Sequence, residues 1–229
     1  NCVVYTPTTL LSKSDGSLEE EDETFGSLYD PLTTIRDNYK LKMDKKWNIQ
    51  GYMSYKFAKH FTARVDLGYQ SRHISTDRYY GPTTYFARNT GRPGIEGGTA
   101  QLQVTDEYST VLTNHNTLEW KQTFENDHNV SVLVGEETVI RKGETKNQYG
   151  FGYKGSYDVL NGEIFNYLGQ AAYSEFTNYV DPRDNQLSFL ARANYDYKGR
   201  YYITATFRAD CSTRFAEGNQ WGYFPSAAL

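Results

Sequence analysis

The residues that most often do acid–base chemistry are present in this sequence, but they do not form a recognisable catalytic set. Glu119, Glu136 and Glu137 are carboxylates close together in the chain. Two carboxylates can hydrolyse a glycosidic bond only if the fold holds them roughly 5–9 Å apart. Because the three also suit the charged lining of a water-filled interior, we expect the lining role.

Histidines and cysteines do not indicate a metal or nucleophile site either. His60, His73, His115 and His128 are far apart, and no His-Glu-x-x-His, Gly-x-Ser-x-Gly or Cys-x-x-Cys pattern occurs. The two cysteines, Cys2 and Cys211, lack metal-ligand spacing, and they are either a disulfide or two unrelated thiols. We therefore predict no catalytic residue, no metal and no cofactor.

A cluster of aromatic and basic side chains in a long polar connection is the best candidate for ligand contact. Aromatic faces stack on sugar rings, and an arginine fork binds hydroxyls or carboxylates. Packing within the loop, or contact with a partner protein, is the alternative reading. The predicted ligand contacts are Tyr79, Tyr80, Tyr85, Phe86 and Arg88.

An acidic run, residues 15–23, precedes the first regular element. It lacks the Asp-x-Asp-x-Asp-Gly order of a helical calcium loop. Like charges this close repel one another in a compact core. We interpret it as a solvated loop, with a calcium-stabilised loop as the alternative.

The elements that position these residues are long hairpins with alternating faces. Side chains alternate across a strand, so a period of two separates an apolar face from a polar one. The clearest hairpin turns at Lys198-Gly199-Arg200. Its first arm has one apolar face, formed by Leu187, Phe189, Ala191, Ala193, Tyr195 and Tyr197. Its other face carries Ser188, Leu190, Arg192, Asn194, Asp196 and Lys198.

Two further hairpins have the same build, and their arms are long. An arm of about 12 residues spans roughly 40 Å, whereas globular strands usually have about 5–6 residues. In the third hairpin Asn114 and Asn116 fall on the apolar face, which indicates a bulge or a stretch beyond the membrane. The predicted strands are at about 46–57, 61–75, 108–124, 129–142, 186–198, 200–210 and 223–229.

Short turns alternate with long connections along the chain. The turns are 58–60, 125–129 and 198–200, and the long external loops are 71–107, 145–184 and 211–222. Outer-membrane barrels have short periplasmic turns and long extracellular loops. We therefore predict an all-β fold of antiparallel, long-stranded hairpins that forms part of the wall of a large transmembrane β-barrel. Residues 1–44 would be an extracellular loop and strand lead-in, and residues 45–229 the partial barrel.

Composition agrees with this fold class. Aromatic residues make up 16% of the 229 residues, which suits interfacial aromatic girdles. The net charge of −4 gives no basic footprint, so we predict no nucleic-acid binding. Seven strands cannot close a barrel without exposed edges, so the chain is interpreted as an internal fragment.

A motif at the C-terminal side adds a family resemblance. The motif runs Phe207-Arg208-Ala209-Asp210-x-Ser212-x-Arg214-Phe215 and then Asn219-x-Trp221-Gly222-Tyr223-Phe224-Pro225-Ser226. It resembles a signature of SusC/RagA-type TonB-dependent outer-membrane transporters, and the resemblance covers roughly residues 30–229. Cys211 stands where the family usually has glycine, which predicts a strained or rearranged turn after Asp210.

The resemblance implies a barrel of about 22 strands with a plugged lumen in the bacterial outer membrane, surrounded by outer-membrane lipids. It implies active import of oligosaccharides or peptides, driven by the TonB complex through a plug domain that lies outside this chain. It also implies a SusD-like surface lipoprotein as partner.

Two other functions are consistent with the residues. One is an outer-membrane receptor or adhesin barrel without transport, which needs no plug. The other is a secreted carbohydrate-binding β-sandwich, which predicts short strands and two apolar inner faces.

Overall fold

The fold is a single antiparallel sheet of long strands. A computed structural model describes residues 35–89, 91–125, 127–153 and 162–229. Seven strands follow one another across the sheet, and an eighth pairs beside them. The strands are β1 (Asn38–Phe57), β2 (Phe61–Tyr80), β3 (Ala100–Phe124), β4 (His128–Tyr153), β5 (Tyr173–Val180), β6 (Asp184–Tyr197), β7 (Tyr201–Ser212) and β8 (Trp221–Ala228). The all-β prediction is confirmed.

Strand order follows sequence order, as expected for successive hairpins. The sheet runs β1-β2-β3-β4-β6-β7-β8, and β5 pairs with β4. Two short helical segments interrupt the connections: α1 (Tyr85–Arg88) and a 3₁₀ segment (Glu163–Gln170). Neither has the length and apolar character of a helix that crosses a membrane, and this holds for all the described residues.

Register explains why the two sheet faces differ. β6 pairs with β7 so that Phe189 faces Ala209, Ala191 faces Phe207 and Tyr195 faces Ile203. β8 continues the apolar face, because Tyr223 pairs with Ala209. The intervening residues form the polar face, where Ser188 faces Asp210 and Arg192 faces Thr206. A register shift of one residue would exchange the two faces.

The short turns adopt left-handed backbone conformations. Ala58 and Lys59 have φ of 46° and 60°, and Lys198 and Gly199 have φ of 55° and 65°. At Lys198-Gly199, the two positive φ values and the hydrogen bond from Arg200 N–H to Tyr197 C=O at 3.0 Å indicate a type I′ turn, whose twist matches that of the flanking strands. At the turn between β1 and β2, His60 N–H instead donates to Ala58 C=O at 2.7 Å.

Two of the predicted long loops need correction. β2 continues to Tyr80 and β3 begins at Ala100, so the expected loop 71–107 is much shorter. The expected loop 145–184 contains the end of β4, the 3₁₀ segment and all of β5. These stretches lack a clean apolar alternation, which is why the sequence pattern missed them.

The strained or rearranged turn predicted directly after Asp210 is wrong, because β7 continues to Ser212. Cys211 lies within β7 and pairs with Leu187 on one side and Trp221 on the other. Its thiol is free and partly buried, while Cys2 lies outside the described residues. The acidic run 15–23 also lies outside them.

The chain divides into two compact units. One comprises residues 1–44, 74–107 and 145–179, and the other residues 45–73, 108–144 and 180–229. We call them the loop unit and the wall unit. The loop unit contains a core of Ala100, Leu102, Tyr153 and Ile164, onto which Tyr79, Phe165, Leu168 and Ala171 pack.

Candidate functional site

The polar face of the wall unit carries a cluster of ion pairs centred on Arg208. The Arg208 Nε donates to Asp210 Oδ1 at 2.7 Å, and Nη2 lies 3.1 Å from Glu137 Oε2. The same Nη2 donates to the hydroxyl of Ser188 at 3.2 Å. The cluster therefore joins β4, β6 and β7 through one guanidinium. Two of its members, Arg208 and Asp210, belong to the motif at residues 207–226.

A second ion-pair cluster lies on the polar face of β2. Arg64 donates two hydrogen bonds to the Asp66 carboxylate, at 2.8 and 2.6 Å. The guanidinium also lies 4.2 Å from the ring centre of Tyr52, a cation–π distance. His115 Nδ1 is 4.0 Å from Asp66 Oδ2. A planar fork paired with a carboxylate is well oriented even where water reaches it.

Both clusters border the same groove. The groove has a volume of about 650 Å³, and Arg64, Asp66, His115 and Glu137 are among its lining residues. Since Glu137 also contacts Arg208, positive and negative groups alternate along this part of the sheet. Such a surface can exchange hydrogen bonds with a polar solute without presenting one dominant charge.

Closer to the turns, the polar face carries a ladder of side-chain hydrogen bonds. All its members are uncharged except Asp196. It crosses β3, β4, β6 and β7, with donor–acceptor distances of 2.8–3.2 Å. A groove of about 670 Å³ lies along it. The bonds join Thr123 to Asn129, Asn129 to Asp196, Asn194 to Ser131, and Thr204 to Asn194.

The candidate acid–base residues are held separately. Glu119 pairs with Lys121 at 2.8 Å, and Glu137 pairs with Arg208. Glu136 and Glu137 point to opposite faces because successive strand residues alternate. The carboxylates are therefore not arranged as a pair, and within the described ranges no group of His, Cys, Asp and Glu can hold a metal ion.

Glu136 has a different environment, on the apolar face. It accepts hydrogen bonds from Asn116 Nδ2 at 2.8 Å and from Thr138 Oγ1 at 2.5 Å. Asn116 also donates to Asn114. Asn116 of β3 and Thr138 of β4 therefore satisfy the Glu136 carboxylate of β4, and β3 runs unbroken past Asn114 and Asn116.

The histidines also have individual partners. His60 Nδ1 is 3.0 Å from Lys121 C=O, and His128 Nδ1 is 2.7 Å from the Tyr195 hydroxyl. His73 stacks on Tyr108 with ring centres 4.4 Å apart. These contacts cross neighbouring strands, as expected for side chains that stabilise a sheet.

The five predicted ligand contacts lie in the loop unit, and the structure separates them into two groups. Tyr80 is buried beneath Phe86, with ring centres 4.8 Å apart, and Arg78 lies 4.6 Å from its ring centre. Tyr79 packs against the loop core. Tyr85 and Phe86 are exposed on α1, and Arg88 ends that helix half-buried.

Burial of Tyr79 alters its titration. Tyr79 lies near the end of β2, beyond the roughly 9–11 residues that a tilted strand needs to cross a bilayer. Burial, and then the nearby charge of Asp37, raises the pKa of its hydroxyl from 10.0 to about 12.

This shift gives a pH prediction. Because the pKa is raised on folding, the stabilising contribution is complete below pH 10 and is lost as the pH rises towards 12. We expect the difference between the 295-nm titrations of the wild-type protein and Tyr79→Phe to show one phenol with a midpoint near pH 12. A midpoint near pH 10 would contradict the buried position.

The Arg208 cluster gives a second prediction. Arg208→Met keeps the aliphatic stem but leaves Glu137 and Asp210 without their partner. Since the three side chains are 26–36% exposed, we expect a loss of only about 1–2 kcal/mol in the free energy of unfolding. In a double-mutant cycle with Glu137→Gln, the two losses should be less than additive. Strict additivity in urea unfolding of the full-length protein would contradict the pairing.

The chain is similar to TonB-dependent receptors, although no family model matches it. A TonB-dependent receptor of Formosa agariphila is 28% identical over 225 residues, which are 97% of this chain and 20% of the relative. The TonB-dependent receptor SusC of Bacteroides thetaiotaomicron is 47% identical over 47 residues, 20% of this chain and 5% of that protein.

A solved structure shares the fold. The RagAB peptide transporter matches 93% of this chain and 23% of its own chain, with a TM-score of 0.73 and 19% identity. The chain therefore spans about a fifth of the length of the first of these relatives. These matches confirm the predicted resemblance to SusC/RagA-type TonB-dependent transporters, the barrel-wall fold and the outer-membrane location.

Proposed function

We propose that this segment of a SusC/RagA-type TonB-dependent transporter forms part of the wall through which a polar ligand is imported. The observation that carries the proposal is the difference between the two faces of the wall unit. One face presents Phe207, Ala209 and Tyr223, and the other carries the Arg64 and Arg208 clusters. A wall between lipid and water needs that asymmetry.

The apolar face is proposed to contact outer-membrane lipids. Aromatic side chains are frequent on it at two levels. Tyr195, Tyr197 and Tyr201 lie near the short turn, and Phe189, Trp221 and Tyr223 lie six or more residues farther along the strands. Tyrosine and tryptophan favour the boundary between lipid and water, because one part of the ring is apolar and another forms hydrogen bonds.

The ligand is proposed to be an oligosaccharide or a peptide that first meets Tyr85 and Phe86. These two rings are 49% and 53% exposed. Both rings belong to α1, and the N-cap of this helix is formed by Thr84, whose Oγ1 accepts from Ala87 N–H at 3.3 Å. A SusD-like lipoprotein is proposed as the surface partner, and the TonB complex as the source of energy through a plug domain.

An outer-membrane receptor without transport is the second candidate, since it would have the same wall. A secreted sandwich is not supported, because the described strands form a single sheet of long strands rather than two packed layers. Catalysis is not proposed, because the described carboxylates and imidazoles have separate structural partners.

Uptake by whole cells distinguishes import from binding alone. We expect cells that express the full-length protein to accumulate a labelled peptide or oligosaccharide, and a strain without TonB to bind the ligand but not accumulate it. Equal accumulation with and without TonB would contradict TonB-driven import. Binding without accumulation in both strains would favour the receptor.

The ligand contacts can be tested in the same cells. Tyr85→Ala together with Phe86→Ala should weaken binding about tenfold, since each ring contributes about 0.5–1.5 kcal/mol. Tyr85→Phe retains the ring and serves as the matched control. Unchanged affinity in the double variant would remove α1 from the ligand site.

A further inference from the structure

Strand β5 has a free edge. Among the described residues it pairs with β4 alone, whereas β4 also contacts β3 and β6. Side chains on β5 are correspondingly exposed: Phe176 by 71% and Tyr179 by 58%. An exposed strand edge presents unpaired N–H and C=O groups that can bind another strand.

The register of β5 against β4 identifies which residues face the free edge. Asp181 N–H donates to Gly143 C=O at 2.9 Å. Asn147 bonds Thr177 at 3.2 Å, and Phe151 contacts Tyr173. These three pairs have the same sum of residue numbers, so the antiparallel register is continuous.

In an antiparallel pair, hydrogen-bonded residues alternate with residues whose backbone groups point away from the partner. Because Asp181 is hydrogen-bonded to β4, every second residue from it also directs its backbone groups towards β4, which are Tyr179, Thr177, Glu175 and Tyr173. The alternate residues point outward. We call Ser174, Phe176 and Asn178 the β5 edge, and each has one N–H donor and one C=O acceptor directed away from β4.

The β5 edge lacks two of the residue types that usually prevent strand pairing. Natural edge strands are protected by lysine, proline, bulges or a covering segment. β5 has neither lysine nor proline. Its one charged residue, Glu175, forms an ion pair with Arg92, so this charge does not protect the edge against strand pairing.

Arg92 holds β5 in place beside β4. Arg92 pairs with Glu175 and also lies 5.0 Å from the ring centre of Phe151. This contact joins the loop at residue 92 to both β4 and β5. An incoming strand would therefore meet an edge whose position is already fixed, which lowers the entropy cost of binding.

We propose that the β5 edge binds an extended peptide by strand addition. The proposal deepens the proposed import function and rests on it, because it names peptides as the ligand class. Only another extended backbone offers donors and acceptors at the spacing of a strand edge. An oligosaccharide has no such repeat of N–H and C=O groups.

Recognition at this edge is expected to depend on the peptide backbone more than on its side chains. The eight residues of β5 span about 26 Å. Peptides of several residues would gain the whole set of edge hydrogen bonds, and dipeptides would gain few of them. Phe176 and Tyr179 lie beside the edge and can contact apolar side chains of the peptide.

The first test measures amide hydrogen exchange in the purified full-length protein with its partner lipoprotein. The probe is a library of peptides of about ten residues with randomised side chains. We expect fast exchange at Ser174, Phe176 and Asn178 without peptide, and slow exchange with it. Slow exchange before addition of peptide would mean that another chain occupies the edge, and it would overturn the proposal.

The second test changes the donors on each side. Asn178→Pro removes an outward N–H without removing a bond to β4, which proline tolerates at an edge. We expect about tenfold weaker peptide binding. Asn178→Ala keeps the N–H and should bind as the wild type does, and equal binding by both variants would overturn the proposal.

A matched pair of peptides separates edge pairing from other modes of binding. N-methylation of alternate amides removes the donors on one side of an extended peptide, and the shifted pattern removes those on the other side. Because recognition depends on the backbone more than on side chains, a peptide methylated by either pattern can still pair through its other edge, and we expect both to bind. A peptide methylated on every amide has no donor on either edge and should not bind, and its binding would contradict strand addition.

These outcomes are distinct from those that test import. If cells accumulate peptide with TonB but Asn178→Pro binds as well as Asn178→Ala, import stands and the β5 edge does not bind the ligand. If the purified protein shows the expected exchange pattern but cells accumulate no peptide, the edge binds peptide and the import proposal fails.

Discussion

Gly152→Ala is expected to lower the stability of the loop unit by about 2–4 kcal/mol. Gly152 has φ of +78°, in the left-handed region that favours glycine. A Cβ atom there would lie 2.9 Å from the Cβ of Ala172 and 3.3 Å from Cδ1 of Ile95. Backbone strain and crowding therefore act together at the end of β4.

The consequence extends to the loop core because of the next residue. Tyr153 is 3% exposed, and its hydroxyl donates to Leu168 C=O at 3.0 Å. Any shift of Gly152 moves this ring against Ala100, Leu102 and Ile164. We expect the resulting loss in amide exchange protection to include residues 100–102 and 164–172, and to spare the wall unit.

Two glycines serve as controls for the two causes. Gly91 has φ of +61° but open space around it, so Gly91→Ala tests strain alone and should cost about 1 kcal/mol. Gly169 has neither positive φ nor a close neighbour, so Gly169→Ala should change stability by less than about 0.5 kcal/mol. Equal effects of Gly91→Ala and Gly152→Ala, measured by exchange in the full-length protein, would exclude the crowding.

The hairpins of the wall unit were predictable because their two faces meet different surroundings. Apolar residues recur at every second position of β6 and β7, and Gly199 marks the turn between them. β5 was missed for the opposite reason. Its side chains are exposed on both faces, so burial imposes no period of two on the sequence.

The site was predictable only in part. The motif contains Arg208 and Asp210, but their partner Glu137 lies 71 residues from Arg208 in the sequence. Only the register of β4, β6 and β7 brings it to Arg208. Likewise, residue type alone could not separate the exposed Tyr85 from the buried Tyr80, because both are tyrosines in the same polar stretch.

Gly81→Ala and Asp37→Ala are each expected to cost the loop unit about 2–4 kcal/mol, and the double variant about as much as either alone. Asp37 Oδ2 accepts from Thr83 N–H at 2.9 Å and from Thr83 Oγ1 at 2.6 Å. Its backbone C=O accepts from Gly81 N–H at 2.8 Å. The two bonds from Thr83 are stronger than average, because their acceptor is a charged carboxylate.

The double variant is informative because one substitution removes the obstacle to the other. A Cβ atom added at Gly81 would overlap the carboxylate of Asp37, so Gly81→Ala must displace that carboxylate from Thr83. Gly81 precedes Pro82 and has no positive φ, so an alanine side chain at this position fits the backbone once the carboxylate is gone.

A double-mutant cycle on the full-length protein measures this coupling through urea-dependent proteolysis of the loops. We expect a coupling of about 2 kcal/mol or more, with the two losses far from additive. Asp37→Asn keeps one acceptor oxygen and should lose less than Asp37→Ala. Additive losses would mean that the alanine side chain at position 81 does not displace the Asp37 carboxylate from Thr83.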